Sequence, residues 1–95
     1  MKKYMRFEKE MNALGWHIEH TGGNCLAYIK YVPGRPGIYW LLTLSNDAYI
    51  PENMGDNIAV SLLNENVVPY HNESITEVFC KFGDVIIKKI KFDKE

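Results

Sequence analysis

Three histidines and two cysteines carry most of the chemistry this sequence could offer. His20 and Cys25 flank the turn Thr21-Gly22-Gly23-Asn24. If Gly22-Gly23 is a two-residue hairpin loop, His20 pairs with Cys25 across two strands. A thiol beside an imidazole is the start of the nucleophilic dyad of a Cys/His hydrolase, with Asp47 or Asn46 to orient the ring. The same register sets Ile18 opposite Ala27 and Trp16 opposite Ile29 on that face. A small thiol facing an apolar core is ordinary, and no oxyanion donor can be named. No residue is therefore assigned a catalytic role.

Metal and phosphate chemistry are no better supplied. His17 and His20 point to opposite faces of one strand, which leaves His20 and His71 without the spacing of a zinc site. No metal and no cofactor is expected. Gly22-Gly23 could form a backbone nest for phosphate, but no dinucleotide or P-loop pattern surrounds it. A small-ligand site at this end would draw on His20, Thr21, Gly22, Gly23, Asn24, Asp47 and His71. It would suit sequestration of a nucleotide-like signal rather than its turnover.

The elements that must position these groups follow from periodicity. Tyr4, Phe7, Met11 and Leu14 recur at helical steps, and Gly15 stops that helix at its C′ position. Trp16 to His20 alternates with period two, and Cys25 to Val32 is a second strand. His20, Cys25, Ile18, Ala27, Trp16 and Ile29 form the more apolar face, which should take the helix. Pro33-Gly34-Arg35-Pro36-Gly37 is a turn made of breaker residues. Ile38 to Leu44 is nearly all apolar and reads as a central strand covered on both faces.

Ser45 to Asn57 reads as one long connection, and Ile58 to Leu63 as a fourth strand. Asn64-Glu65-Asn66 is then a tight turn. Val67 to Tyr70 is a short fifth strand, placed at an edge by Pro69. Ser74 and Glu77 spell a capping box, predicting a helix over Ile75 to Phe82. Beyond it a sixth strand is preferred to continued helix. The fold class is α+β: an antiparallel meander of about five strands, with an N-terminal and a C-terminal helix packed on the sheet. The 95 residues make a single domain.

Composition bounds the partners. The formal charge is −1, from 11 basic and 12 acidic residues, without the basic excess of a nucleic-acid binder. Lys88, Lys89, Lys91 and Lys94 make a local basic tail that reads as a solvated terminal element. No apolar run reaches the ~18–20 residues of a membrane span, and the N-terminus lacks a signal peptide's apolar stretch. Two distant cysteines make neither a disulfide framework nor a zinc knuckle, and the cytoplasm is the expected compartment.

In a meander, the Gly22-Gly23 turn, the Ser45–Asn57 loop and the exit at His71 share one end of the sheet. Tyr49, Ile50 and Met54 in that loop would anchor a partner if exposed, or cap the sheet if folded back. At the other end, a Pro/Gly turn displays Arg35, a side chain suited to carboxylate or phosphate. Tyr28, Tyr31, Tyr39 and Trp40 cannot all hide under two short helices, which leaves room for a homodimer.

The stretch Trp16-His17-Ile18-Glu19-His20-Thr21-Gly22-Gly23-Asn24-Cys25-Leu26-Ala27 resembles a strand–Gly-Gly–strand opening of small phage and prophage proteins. The chain's size and motif-free character are similar to those of phage-encoded inhibitors of bacterial defence, such as anti-CRISPR proteins. That class has no common fold, so the resemblance carries over no functional residue. It implies a protein that occludes a host defence complex. The lack of a catalytic constellation makes that protein a non-enzymatic binder, and the long loop and the Pro/Gly turn supply Arg35, Tyr49, Ile50 and Met54 as its expected contacts.

Overall fold

The computed structural model describes residues 6–68, 71–90 and 92. Helix α1 (Glu8–Ala13) is followed by strands β1 (His17–Gly22), β2 (Cys25–Tyr31), β3 (Ile38–Leu44), β4 (Asn57–Val68) and β5 (His71–Lys81), then by helix α2 (Phe82–Ile86). The five strands pair antiparallel in chain order, β1-β2-β3-β4-β5. This is the expected α+β meander with a helix at each end. Tyr4, Pro69, Tyr70, Lys91 and Lys94 lie outside the described residues.

Gly15 ends α1 as the sequence predicts. It takes φ +95°, and its amide donates to Asn12 O at 3.0 Å. Met11, the apolar tooth of this short helix, is fully buried. It packs over one face of the sheet with Trp16, Leu26, Tyr28, Trp40, Leu42, Ile58, Val60 and Leu62. Phe82 and Val85 of α2 close the same core. The Phe82 ring lies 5.5 Å from Phe7 and 6.3 Å from Tyr28, centroid to centroid. Phe92 wedges between Trp16 and Trp40 at 6.0 and 5.5 Å. Burying each such aromatic side chain contributes about 2–3 kcal/mol relative to leaving it in water.

The hairpin register departs from the expected one. His17 pairs with Ile29, Ile18 with Tyr28, Glu19 with Ala27 and His20 with Leu26, whereas Gly22 pairs with Cys25. Thr21 is the extra residue of a bulge, and the loop is Gly23-Asn24 rather than Gly22-Gly23. Gly22 at φ +129° and Gly23 at φ +55° adopt backbone that other residues resist. A one-residue slip exchanges faces. Trp16 and Ile18 therefore share the helix-covered face with Leu26 and Tyr28, while Cys25, Ala27 and Ile29 turn to the opposite side.

Three further expectations are corrected. Strand β3 is not covered on both faces: Ile38, Trp40 and Leu42 are buried, but Tyr39, Leu41 and Thr43 are only half-buried. No turn interrupts Asn64-Glu65-Asn66, because β4 runs on through them to Val68. Ser74 to Lys81 is strand, not helix: Ile58 pairs with Cys80, Val60 with Val78 and Leu62 with Thr76. Ladder bonds to the long β4, and β-branched residues suited to a pleated surface, override the local capping signal. The helix begins only at Phe82, where the Lys81 amide donates to Asp84 Oδ2 at 3.3 Å. Among the described residues no sixth strand follows it.

Candidate binding face

Because only one side of the sheet takes helices, the other side is open among the described residues. The register sets its side chains in rows across the strands. One row runs His17, Ile29, Leu41, Ser61, Glu77 from β1 to β5. The next, toward the Ser45–Asn57 loop, runs Glu19, Ala27, Thr43, Ala59, Phe79. On the far side of the first row lie Tyr31, Tyr39 and Leu63. Apolar groups dominate the middle, and charged or titratable groups stand on the two outer strands.

At the β1 edge the polar groups satisfy one another. His17 Nε2 and Glu19 Oε2 are 2.6 Å apart, and the Tyr31 hydroxyl donates to the same carboxylate oxygen at 3.1 Å. The His17 and Tyr31 rings stack at 5.6 Å, and Tyr31 continues to Tyr39 at 5.8 Å. The bond to Glu19 raises the Tyr31 pKa above its usual value. Burial, then Glu65, raises that of Tyr39. At the β5 edge, Ser61 Oγ donates to Glu77 Oε2 at 3.2 Å.

Two aromatic side chains stand clear of this surface: Tyr31 is 51% exposed and Phe79 64% exposed. On the same face Ala27 and Ile29 are buried, with 0% and 3% of their surface exposed. The face is thus a shallow apolar saddle between two aromatic rims. Uncovered apolar ground of this kind, edged by polar groups, marks an association surface.

The residues expected to act from loops are placed differently. Ile50 is fully buried in the core, with Tyr49 packed against it. Met54 is half-buried, and its carbonyl accepts the Gly83 amide at 2.7 Å. The loop therefore folds back as a cap. Asp56 secures it by accepting the amides of Glu52 and Asn53, both at 3.0 Å. Arg35 stands exposed on its turn, its amide bonded to Val32 O and its carbonyl to the Ile38 amide, each at 3.2 Å.

His20, opposite Leu26, and Cys25, opposite Gly22, fall on opposite faces, so the cross-strand dyad does not form. His20, Thr21, Gly22, Gly23, Asn24 and Asp47 lie exposed at the loop end of the sheet. His71 instead opens β5 across from Val68, at the other end and on the order of 30 Å along the strand from the row of His20. The predicted ligand set therefore does not converge. An open depression of about 490 Å³ lies at the loop end, between Ser45, Asn57, Phe79 and Lys81, and none of that set lines it.

Among the described residues no three metal-ligating side chains gather, and no helix is long and apolar enough to cross a membrane. The open face was only half legible in the sequence. Tyr31 and Tyr39 were marked by the excess of aromatic groups over helix cover. Leu41 was hidden in an all-apolar strand, and Phe79 in a segment that mimics a helix. The alternation of Glu77, Phe79 and Lys81 with Val78, Cys80 and Phe82 was the signal for the latter. No family model, curated protein or solved structure matches the chain.

Proposed function

We propose that this chain is a non-enzymatic binding protein whose working surface is the open face of its sheet. One observation carries the reading: Leu41, Tyr39, Leu63 and Phe79 form an apolar surface that neither helix covers. Desolvating such a surface against a partner supplies the driving force for association, and its aromatic rims are the residue types that dominate binding energy. The separation of Cys25 from His20 removes the catalytic pairing that the sequence had suggested.

The narrower form of the proposal is an inhibitor that occludes a host defence complex in the cytoplasm. It draws on the sequence's resemblance to small phage proteins and on two cysteines that stay unbridged. The test is to express the chain in bacteria whose defence system restricts a plated phage. Wild type should restore plaques and retain a stoichiometric host protein on purification. Leu41→Glu and Phe79→Glu should lose both effects while keeping the wild-type melting transition. Unchanged activity in both variants would remove the open face from the mechanism.

A further inference from the structure

We infer that the open face is the contact surface of a symmetric homodimer, with a second copy of this chain as its occupant. The inference rests on the binding-face reading above and names the partner of that face.

Three observations support a second copy. The first is symmetry. A face-to-face pair needs a two-fold axis lying in the interface plane, and β3 is the middle of five strands. An axis along β3 lays β1 of one copy over β5 of the other, and β2 over β4, so the sheet covers itself completely. Leu41 meets Leu41 and Thr43 meets Thr43 on the axis.

The second is charge. Toward the loop end, β1 presents His17 and then Glu19, while β5 presents Glu77, Phe79 and then Lys81. The axis along β3 keeps strand direction, so His17 comes over the row of Glu77, and Glu19 comes beside Lys81. The titratable and charged groups thus gather over the outer strands, outside a saddle whose centre carries no charge. This is the apolar core and polar rim of a stable interface.

The third is area. Five strands spaced about 4.8 Å apart, over about seven residues of about 3.3 Å, give roughly 550 Å² in projection. Side-chain relief raises the accessible area toward the ~800 Å² per partner of a standard interface. The stacking is that of an aligned β-sandwich, with helices on both outer surfaces. Because strand direction is kept, the two Arg35 turns share one end of the dimer and the two Ser45–Asn57 loops the other. A target would meet each feature twice.

Sedimentation equilibrium from about 1 to 200 µM tests the proposal directly. Wild type should approach twice the chain mass of 11.0 kDa. Leu41→Glu sets two carboxylates against each other on the axis and should weaken dimerisation at least 100-fold. Phe79→Glu, at a position already exposed, should do the same if Leu41→Glu compromises folding. Lys89→Glu, away from this face, should leave the dimer intact.

Mixing His17→Cys with Glu77→Cys copies should give a mixed disulfide that neither variant gives alone. A dimer that survives both face substitutions overturns the proposal, as does a mixed pair that fails to cross-link. A wild type monomeric at 200 µM also overturns it. If Leu41→Glu then still abolishes capture of a host protein, the binding-face reading stands with a different occupant. If capture is unaffected as well, both readings fail.

Discussion

Replacing Tyr28 by phenylalanine removes a buried hydroxyl that has no partner among the described residues. The residue is fully buried against Phe82, and among the described residues its oxygen has no hydrogen-bond partner, as is also true of Trp40 Nε1. An unsatisfied buried hydroxyl costs about 1–3 kcal/mol, while the ring packing is unchanged by its loss. Tyr28→Phe is therefore expected to stabilise the chain by about 1 kcal/mol at pH 7. For a domain of this size that raises Tm by roughly 4–8 °C.

A second readout comes from alkali. Burial first, then Glu8 and Glu10, pushes the Tyr28 pKa from 10.0 to about 12. The neutral form is favoured in the folded state, so this stabilisation is complete below pH 10 and is lost as pH rises from 10 to about 12. Two pH units correspond to at most about 2.7 kcal/mol. Urea unfolding of both proteins at pH 7, 10 and 11.5 measures each part. Wild type should lose more stability in alkali than Tyr28→Phe. A variant less stable than wild type by 1 kcal/mol at pH 7 would refute the reasoning, because the hydroxyl would then have a partner.

Other predictions concern the cap and the thiols. A Cβ at Gly83 would meet Met54 O at 3.1 Å, so Gly83→Ala should cost about 1–3 kcal/mol in urea unfolding. Asp56→Ala leaves the amides of Glu52 and Asn53 without their acceptor. It should cost about 1–2 kcal/mol and speed hydrogen exchange at those two amides. Burial, then Asp84, raises the Cys80 thiol pKa. Alkylation of Cys80 at pH 8 should thus be slower than that of a free thiol, and Asp84→Asn should quicken it severalfold.

The meander was legible because its punctuation is chemical. Gly15 ends a helix, Pro33 to Gly37 can form only a turn, and alternation marks β1. Register was not legible, since the bulge at Thr21 depends on which of Gly22 and Gly23 takes the loop. That single residue decides whether Cys25 meets His20 or turns away from it. β3 misled for another reason: an all-apolar strand hides its alternation, so the exposure of Tyr39 and Leu41 is set by where the helices dock. At Ser74 to Lys81 a local capping signal competed with strand pairing to β4, and the long-range ladder prevailed.

The central claim, association through the open face, is tested most directly by hydroxyl-radical footprinting of Tyr31 and Phe79 across protein concentration. At nanomolar concentration both rings should oxidise at rates fitting 51% and 64% exposure. At 200 µM both should be protected, with Ile87, the exposed residue that follows α2, unchanged as the internal reference. Equal oxidation of Tyr31 and Phe79 at every concentration, with or without a co-purified host protein, would contradict the account.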